Sequence, residues 1–292
     1  MTLHADVHTP ALERLGPADV PELLTFLDDD PVSNVYPLAL VLRDGLVRPR
    51  DEYWVARRGG RITSLLYLGG LSGAVLPVGD DLPAMRALGR LAAGRIAQLP
   101  KRFQVVGPRA AVYALLEVFP GDGPPARLTR DQYYLSLEPD ALPPFERLPE
   151  LRPARREDYP IVYETGAALR AEELLEDPRD VDPIAYARRV EEDCRDGHTY
   201  VWRDARGLCF RAGISALTAD AAQISGVYTP PALRGQGIAG RSLAELCARA
   251  LQRARRVCLF VNDFNAPALA LYKRLGFTLR AEWASAFFDR AE

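Results

Sequence analysis

An order of elements written twice constrains this chain more than any single motif. After Gly16, hydrophobic periodicity predicts helices through ADVPELLTFLDDD and SNVYPLALVLRDGL, then alternating strands YWVARR, RITSLLYLGG and GAVLPVG separated by glycine turns. An amphipathic helix from about Leu82 to Leu99, a strand RFQVVG, a helix PRAAVYALLEVF and a strand DQYYLSLE follow. The Pro-rich stretch PDALPPFERLPELRP then interrupts all periodicity and is the expected linker. Beyond it the same order returns. A short strand near Leu151, helices DYPIVYETGAALRAEELL and DPIAYARRVEEDC, and strands TYVWRD, LCFRAGISALT and AAQISGVYT precede a helix from Gly237 to Ala254. A strand RVCLFV, a helix APALALYKRL and a last strand through FTLRAEWASAFF complete it. The repetition predicts a duplicated α/β fold with domains at residues 1–138 and 150–292 joined by a linker at 139–149.

Composition removes several classes of partner. At 292 residues, 48% hydrophobic and 26% charged, the chain is long enough for two ordinary globular domains. A net charge of -2 gives no global electrostatic reason to bind nucleic acid or an anionic membrane. The opening MTLHADVHTP has neither a basic nor an apolar leader region, and no apolar run reaches a membrane-spanning length, so a cytoplasmic location is expected. Cys194, Cys209, Cys247 and Cys258 stand singly, three of them among apolar neighbours, and read as buried free thiols with no metal site.

One stretch, LRGQGIAGRSL from Leu233, carries chemistry. Gly235, Gly237 and Gly240 have the G-x-G-x-x-G spacing of a dinucleotide turn, and Asp263 stands where a ribose-binding acid would be. Against that reading, TPPALR separates the strand from Gly235, and too little chain follows Asp263 for a doubly wound nucleotide sheet. A nucleotide-dependent oxidoreductase is therefore a remote alternative. The loop still suits a pyrophosphate. Glycines let backbone amides approach without a Cβ in the way, the start of the following helix has favourable potential, and Arg234 adds charge.

This loop, together with NAPALALYKRLGF some thirty residues later, resembles the GNAT superfamily of acyl-CoA-dependent N-acetyltransferases. Its pyrophosphate motif, Arg/Gln-x-x-Gly-x-Gly/Ala, falls on Leu233 to Ala239, and Asn265, Ala268, Tyr272 and Leu275-Gly276-Phe277 match its next helix. The resemblance implies tandem domains of mixed, mostly antiparallel sheets flanked by helices. It also implies acetyl-CoA as co-substrate with no metal, and a primary amine on a small molecule or peptide as acceptor. The implied acetyl-CoA site comprises Val227, Tyr228, Thr229, Arg234, Gly235, Gln236, Gly237, Ile238, Ala239, Gly240, Asn265 and Ala268. In such proteins the pantetheine arm lies where the fourth strand, here QISGVYT, splays from the fifth, VCLFV. An amide near Val227 would polarise the thioester, and Tyr272 would protonate the departing thiolate. Asn265 also reads as an N-cap and Tyr272 also as a core aromatic.

The general base is the departure. Many members place a Glu on the fourth strand, where this chain has Gln223 and Ser225, neither of which takes a proton at neutral pH. Glu172 and Glu173, in the helical region that walls the acceptor site in this family, are the candidate bases, with Glu164 a third; the same acidic run also reads as a solvated helix end. A non-catalytic acyl-CoA-binding protein is the alternative. In the first half, Asp80 and Asp81 stand where the glycine loop stands in the second, and acidic groups there repel a pyrophosphate. A degenerate first domain is expected, walling the acceptor site at most, with one acetyl-CoA bound per chain.

Overall fold

The structure, a computed structural model, describes residues 10–121, 123 and 125–290; the opening nine residues, on which the reading of the leader rests, lie outside the described residues. The first half runs β1 (Ala11–Arg14), α1 (Val20–Leu27), α2 (Val35–Asp44), β2 (Asp51–Arg58), β3 (Arg61–Gly69), β4 (Ala74–Gly79), α3 (Leu82–Ala93), β5 (Arg102–Pro108), α4 (Arg109–Leu116) and β6 (Leu128–Leu137). The second runs β7 (Arg152–Pro153), α5 (Tyr159–Leu174), α6 (Pro178–Val181), α7 (Pro183–Arg195), β8 (Thr199–Asp204), β9 (Gly207–Leu217), β10 (Ala221–Tyr228), α8 (Ile238–Ala250), β11 (Arg256–Asn262), α9 (Ala266–Arg274) and β12 (Thr278–Asp289). The order of elements recurs as expected, with the short α6 added in the second half. Among the described residues no helix is long and apolar enough to cross a membrane.

Two helices are shorter than their periodicity predicts. The expected helix from Leu82 to Leu99 stops at Ala93, Gly94 being its C-cap, and a separate 3-10 turn spans Ile96–Gln98. Glycine weakens a helix interior by about 1 kcal/mol relative to alanine. Pro100 then steers Leu99 into extended geometry, at ψ 155°. Likewise α8 ends at Ala250, four residues before the expected Ala254.

The chain forms two compact units, one running through Tyr133 and resuming at Ala281, the other from Tyr134 to Arg280. In the first, β1 to β4 pair antiparallel in sequence, β4 and β5 run parallel, and Trp283–Asp289 of β12 lie antiparallel to β5. Phe288 anchors that last strand, its ring stacked on Phe103 at 4.8 Å and edge-on to Phe119 at 5.8 Å, all three rings buried. In the second unit the sheet order is β6-β11-β10-β9-β8-β7; β10 and β11 run parallel, and β10 to β7 pair antiparallel. The Tyr134 hydroxyl of β6 donates to Cys258 Sγ of β11 at 3.0 Å, and Tyr134 is fully buried. Each unit therefore takes its closing strand from the other half of the sequence. The four cysteines are buried and none forms a disulfide among the described residues.

The Pro-rich segment expected to be a linker lies inside the second unit, held against α8. Glu245 points from α8 with no exposed surface and accepts from Arg147 Nε and Nη2 at 2.7 and 3.0 Å, Arg249 Nε at 2.8 Å and the Leu148 amide at 3.1 Å. Arg249, in the last turn of α8, spends its charge on this carboxylate. The Arg147 hydrogen bonds, foremost, pull Glu245 down to about 2, against the opposing effect of burial.

Removing the carboxylate strands those donors. Glu245→Ala should cost on the order of 3 kcal/mol, the lower end for breaking a buried ion pair, because Arg147 stays largely in water. Denaturant unfolding at pH 7 checks this. The group's folded value lies below its ordinary 4.5, so its contribution is full above pH 4.5 and disappears as pH falls towards 2. The gap between parent and variant should close over that window; a gap persisting at pH 2 would assign the loss to packing.

Candidate active site

The strands that carry the site part company at its centre. β10 and β11 pair only over Ala221–Gln223 and Arg256–Cys258, although they continue to Tyr228 and Asn262. Beyond Gln223 they diverge and open a cleft. On its other side β10 slips register against β9 between Ser225 and Tyr228, so that Gly226 and Val227 together oppose Ala212. This is a β-bulge, and Gly226 adopts φ +61°, which glycine accommodates without strain. A bulge takes backbone groups out of the ladder. The backbone at Val227 thus lies at the mouth of the cleft without a regular partner strand on either side. Thr229 follows, with its Oγ1 buried and, among the described residues, unpartnered. Buried hydroxyls seldom stay so unless something else occupies the site.

A 3-10 turn at Pro231–Leu233 separates β10 from the glycine loop, unlike a dinucleotide turn that leaves its strand directly. Gly235 and Gly237 adopt φ +76° and +78°, and a Cβ on either would meet no atom within 4 Å. The backbone demands glycine there, and the space before it is open. Gly237 is the N-cap of α8, so the amides of Ile238, Ala239 and Gly240 belong to the first turn and have no intrahelical acceptor. A cleft of about 440 Å³ borders the loop, lined by Gln236, Gly237, Gly240, Arg241 and the Pro143–Glu146 stretch of the Pro-rich segment.

Residues 149–277 match the family described as Acetyltransferase (GNAT) family. This segment belongs to the GNAT acetyltransferases. The fold likeness covers the whole chain. A GCN5-related N-acetyltransferase from Sphaerobacter thermophilus is 19% identical over 97% of each chain, with a TM-score of 0.63. A GNAT-family acetyltransferase from Colwellia psychrerythraea is 14% identical over 95% of this chain and 99% of that one, at 0.57. A tandem GNAT protein from the clavulanic acid biosynthesis pathway is 18% identical over 97% and 99%, at 0.54. No curated protein matches the sequence. The tandem architecture expected from the repeated order of elements is the observed one.

Within this GNAT unit, α9 and α5 meet electrostatically. Asn265 caps α9, its Oδ1 accepting from the Ala268 amide at 3.3 Å, which is the local role read from sequence. Tyr272, seven residues on, is only 6% exposed, with its ring 5.7 Å from Phe277. Its hydroxyl has no hydrogen-bond partner among the described residues. Burial, then the charge of Glu173 and then Cys247 raise the phenol well above its ordinary value, so it stays protonated at every physiological pH. Gly276 ends the turn at φ +90°, and a Cβ there would collide with the Ala141 carbonyl. The Leu-Gly-Phe turn is shaped by the Pro-rich segment it packs against.

Glu173 lies near the end of α5, whose Leu169 packs at the bulge, 3.8 Å from where a Cβ on Gly226 would stand. Glu173 is exposed to solvent, but neighbouring protein is dense enough to desolvate its carboxyl in part. That desolvation, with the charge of Glu172, pushes its carboxyl up to about 6. Glu172 itself is engaged. Arg234 Nη2 donates to both its oxygens at 2.8 and 3.0 Å, while Arg234 Nε donates to the Thr229 carbonyl at 3.0 Å. The Arg234 charge expected at the phosphate loop is thus shared with a carboxylate. Glu164 is ion-paired with Arg179. Of the three acids singled out by sequence, Glu173 is the one with a raised value near Tyr272.

The counterpart in the first unit is closed. Asp81 caps α3 by accepting from the Ala84 amide at 3.1 Å and pairs with Arg58 at 3.0 Å. A Cβ on Gly79 would stand 2.6 Å from the Thr63 carbonyl oxygen, and one on Gly107 of β5 would stand 2.8 Å from that of Pro77 of β4. β4 and β5 therefore stay close at Pro77 and Gly107. Tyr113, the matching tyrosine, donates to Asp131 at 2.9 Å. Sequence reasoning missed Arg211, an arginine within the apolar run LCFRAGISAL of β9, and Glu245, an acid within the apolar run SLAELC of α8. A charge interrupting an apolar run was the signal in both cases.

Proposed function

We propose that the chain transfers an acetyl group from acetyl-CoA to a primary amine of a small molecule or peptide, using the second unit alone. The observation that carries this reading is the diverging, bulged β10 beside an open helix N-terminus, with an elevated carboxyl and a buried phenol near each other. The residues present suit acetyl-CoA: amides in the first turn of α8 for the pyrophosphate, and the unpartnered Thr229 Oγ1 and bulge backbone along the arm. Gln236, Ile238, Ala239, Gly240, Val227 and Tyr228 line this path, and Asn265 and Ala268 shape the helix opposite.

An ammonium has no lone pair, so the acceptor first gives a proton to Glu173, directly or through water. Its nitrogen then attacks the thioester carbonyl carbon. Negative charge developing on the carbonyl oxygen is met by backbone N–H at the Val227 bulge, donors already fixed before reaction. The C–S bond breaks, Tyr272 gives its hydroxyl proton to the departing thiolate, and the phenolate regains a proton from the attacking nitrogen, which leaves as the neutral amide; Glu173 returns its proton to solvent. Calorimetry with acetyl-CoA at a stoichiometry near one per chain, followed by thiol release with an amine panel, tests the reading. Binding at two sites would overturn the closed first unit, and binding without thiol release would leave an acyl-CoA-binding protein.

Tyr272→Phe removes one oxygen and keeps the ring against Phe277. Turnover should fall roughly a hundred-fold, the lower end for a positioned acid, with acetyl-CoA affinity held within a few-fold. Steady-state kinetics and calorimetry check it. Unchanged turnover with lower stability would make Tyr272 a core residue.

A further inference from the structure

β9 carries a cation that this chemistry leaves unused. Arg211 Nη1 donates to the Val162 carbonyl oxygen of α5 at 2.9 Å. Its Nε is buried without a hydrogen-bond partner among the described residues. Its Nη2 lies 4.0 Å from where a Cβ on Gly226 would stand, beside the bulge. Asp193 acts on it only through space and is itself paired with Arg189 at 3.5 Å. The Tyr186 hydroxyl is committed to the Tyr163 carbonyl at 2.6 Å. Burial lowers the guanidinium from its ordinary value, which is the signature of a desolvated charge without a counter-ion.

The fold makes room for this arrangement. A Cβ on Gly166 of α5 would stand 2.5 Å from both Arg211 Nη1 and the Tyr186 hydroxyl, so the guanidinium lies where any other residue at 166 would put its side chain. A desolvated cation without a paired carboxylate is costly, and an apolar replacement is often stabilising. The Val162 bond recovers part of that cost, and no carboxylate of the described residues pairs with Arg211.

We propose that Arg211 binds a carboxylate of the acceptor, so that the acceptor is an amine that also bears a carboxylate: an amino acid or a related amino-carboxylate. The bond to Val162 uses Nη1 and leaves the Nε–Nη2 edge, the two-donor face that takes a planar carboxylate side-on. Nη2, one end of that edge, lies beside Gly226 of the bulge proposed to receive the thioester carbonyl. The proposal rests on the acetyl-transfer reading and adds the acceptor's class to it.

The test uses the full chain, with glycine, β-alanine and γ-aminobutyrate each set against its carboxamide, and phosphoethanolamine as the tetrahedral control. At saturating acetyl-CoA, at least one acid should exceed its amide in kcat/KM by tenfold or more, as expected for a charge-assisted pair. Arg211→Gln should collapse that ratio towards one by raising KM for the acid, and Arg211→Lys should restore part of it. Calorimetric acetyl-CoA affinity is the control. Arg211→Met should melt no lower than the parent. Equal use of acids and amides, preference for phosphoethanolamine, or a lower melting temperature for Arg211→Met would overturn the proposal. If acetyl-CoA failed to bind, the acetyl-transfer reading would fall by itself. The acid-minus-amide thermal shift in parent and Arg211→Gln would then still read the carboxylate site, and no difference would overturn it.

Discussion

Gly237→Asp is expected to fold as the parent does and to lose measurable acetyl-CoA binding in calorimetry. Two effects of one substitution separate here. Gly237 adopts φ +78°, where a side chain is strained, but a Cβ meets no atom within 4 Å, so nothing need be pushed aside. Aspartate is among the residues that tolerate this region best, and at an N-cap it accepts from the helix's own amides. The cost to the fold should stay near 1 kcal/mol. The cost to binding is of another kind. The carboxylate would occupy the space before α8, use the amides a pyrophosphate needs, and add a negative charge facing negative phosphates. Gly237→Asn carries the same strain and bulk without the charge, and should keep more of the affinity. If the Asp protein bound acetyl-CoA within a few-fold of the parent, the loop would not be the phosphate site.

What could be read from sequence was what local geometry dictates. Gly235 and Gly237 were legible because positive φ and an N-cap are properties of a few consecutive residues, and the Asn265 cap for the same reason. The order of elements was legible because periods of two and of about 3.6 residues are local. The exchange of closing strands was not. An alternating pattern in β6 or β12 says which face is buried and nothing about which neighbour it pairs with. The same limit governed the acids. Glu172 and Glu173 are adjacent in sequence and look interchangeable, but one pairs with Arg234, sixty-two positions away, and the other does not. The Pro-rich segment lost its helical periodicity for a local reason, yet its packing on Glu245 depends on a helix about a hundred residues later.

That distinction between neighbouring acids sets the other large effect. Glu173→Gln should lower turnover by about a hundred-fold or more at pH 7, the range for removing a positioned general base, with acetyl-CoA binding retained. Glutamine keeps the shape and accepts no proton. The parent's activity should fall as pH drops through about 6, because the carboxyl must be ionised to take the acceptor's proton, and the variant should lack that limb. Stability should move the opposite way. The folded value, about 6, lies above the ordinary 4.5, so the folded state is favoured by protonation: the contribution is full below pH 4.5 and is lost as pH rises through 6. At pH 8 the parent carries an ionised, partly desolvated carboxylate beside Glu172, and Glu173→Gln should melt higher than the parent; at pH 4 the two should melt together. A general base built into a cleft has both properties, since the desolvation that tunes its proton affinity also destabilises its charged form. An acid on a solvated helix end has neither. Loss of turnover without a gain in melting temperature at pH 8 would place the base elsewhere, and a gain without loss of turnover would leave Glu173 as a bystander beside Tyr272.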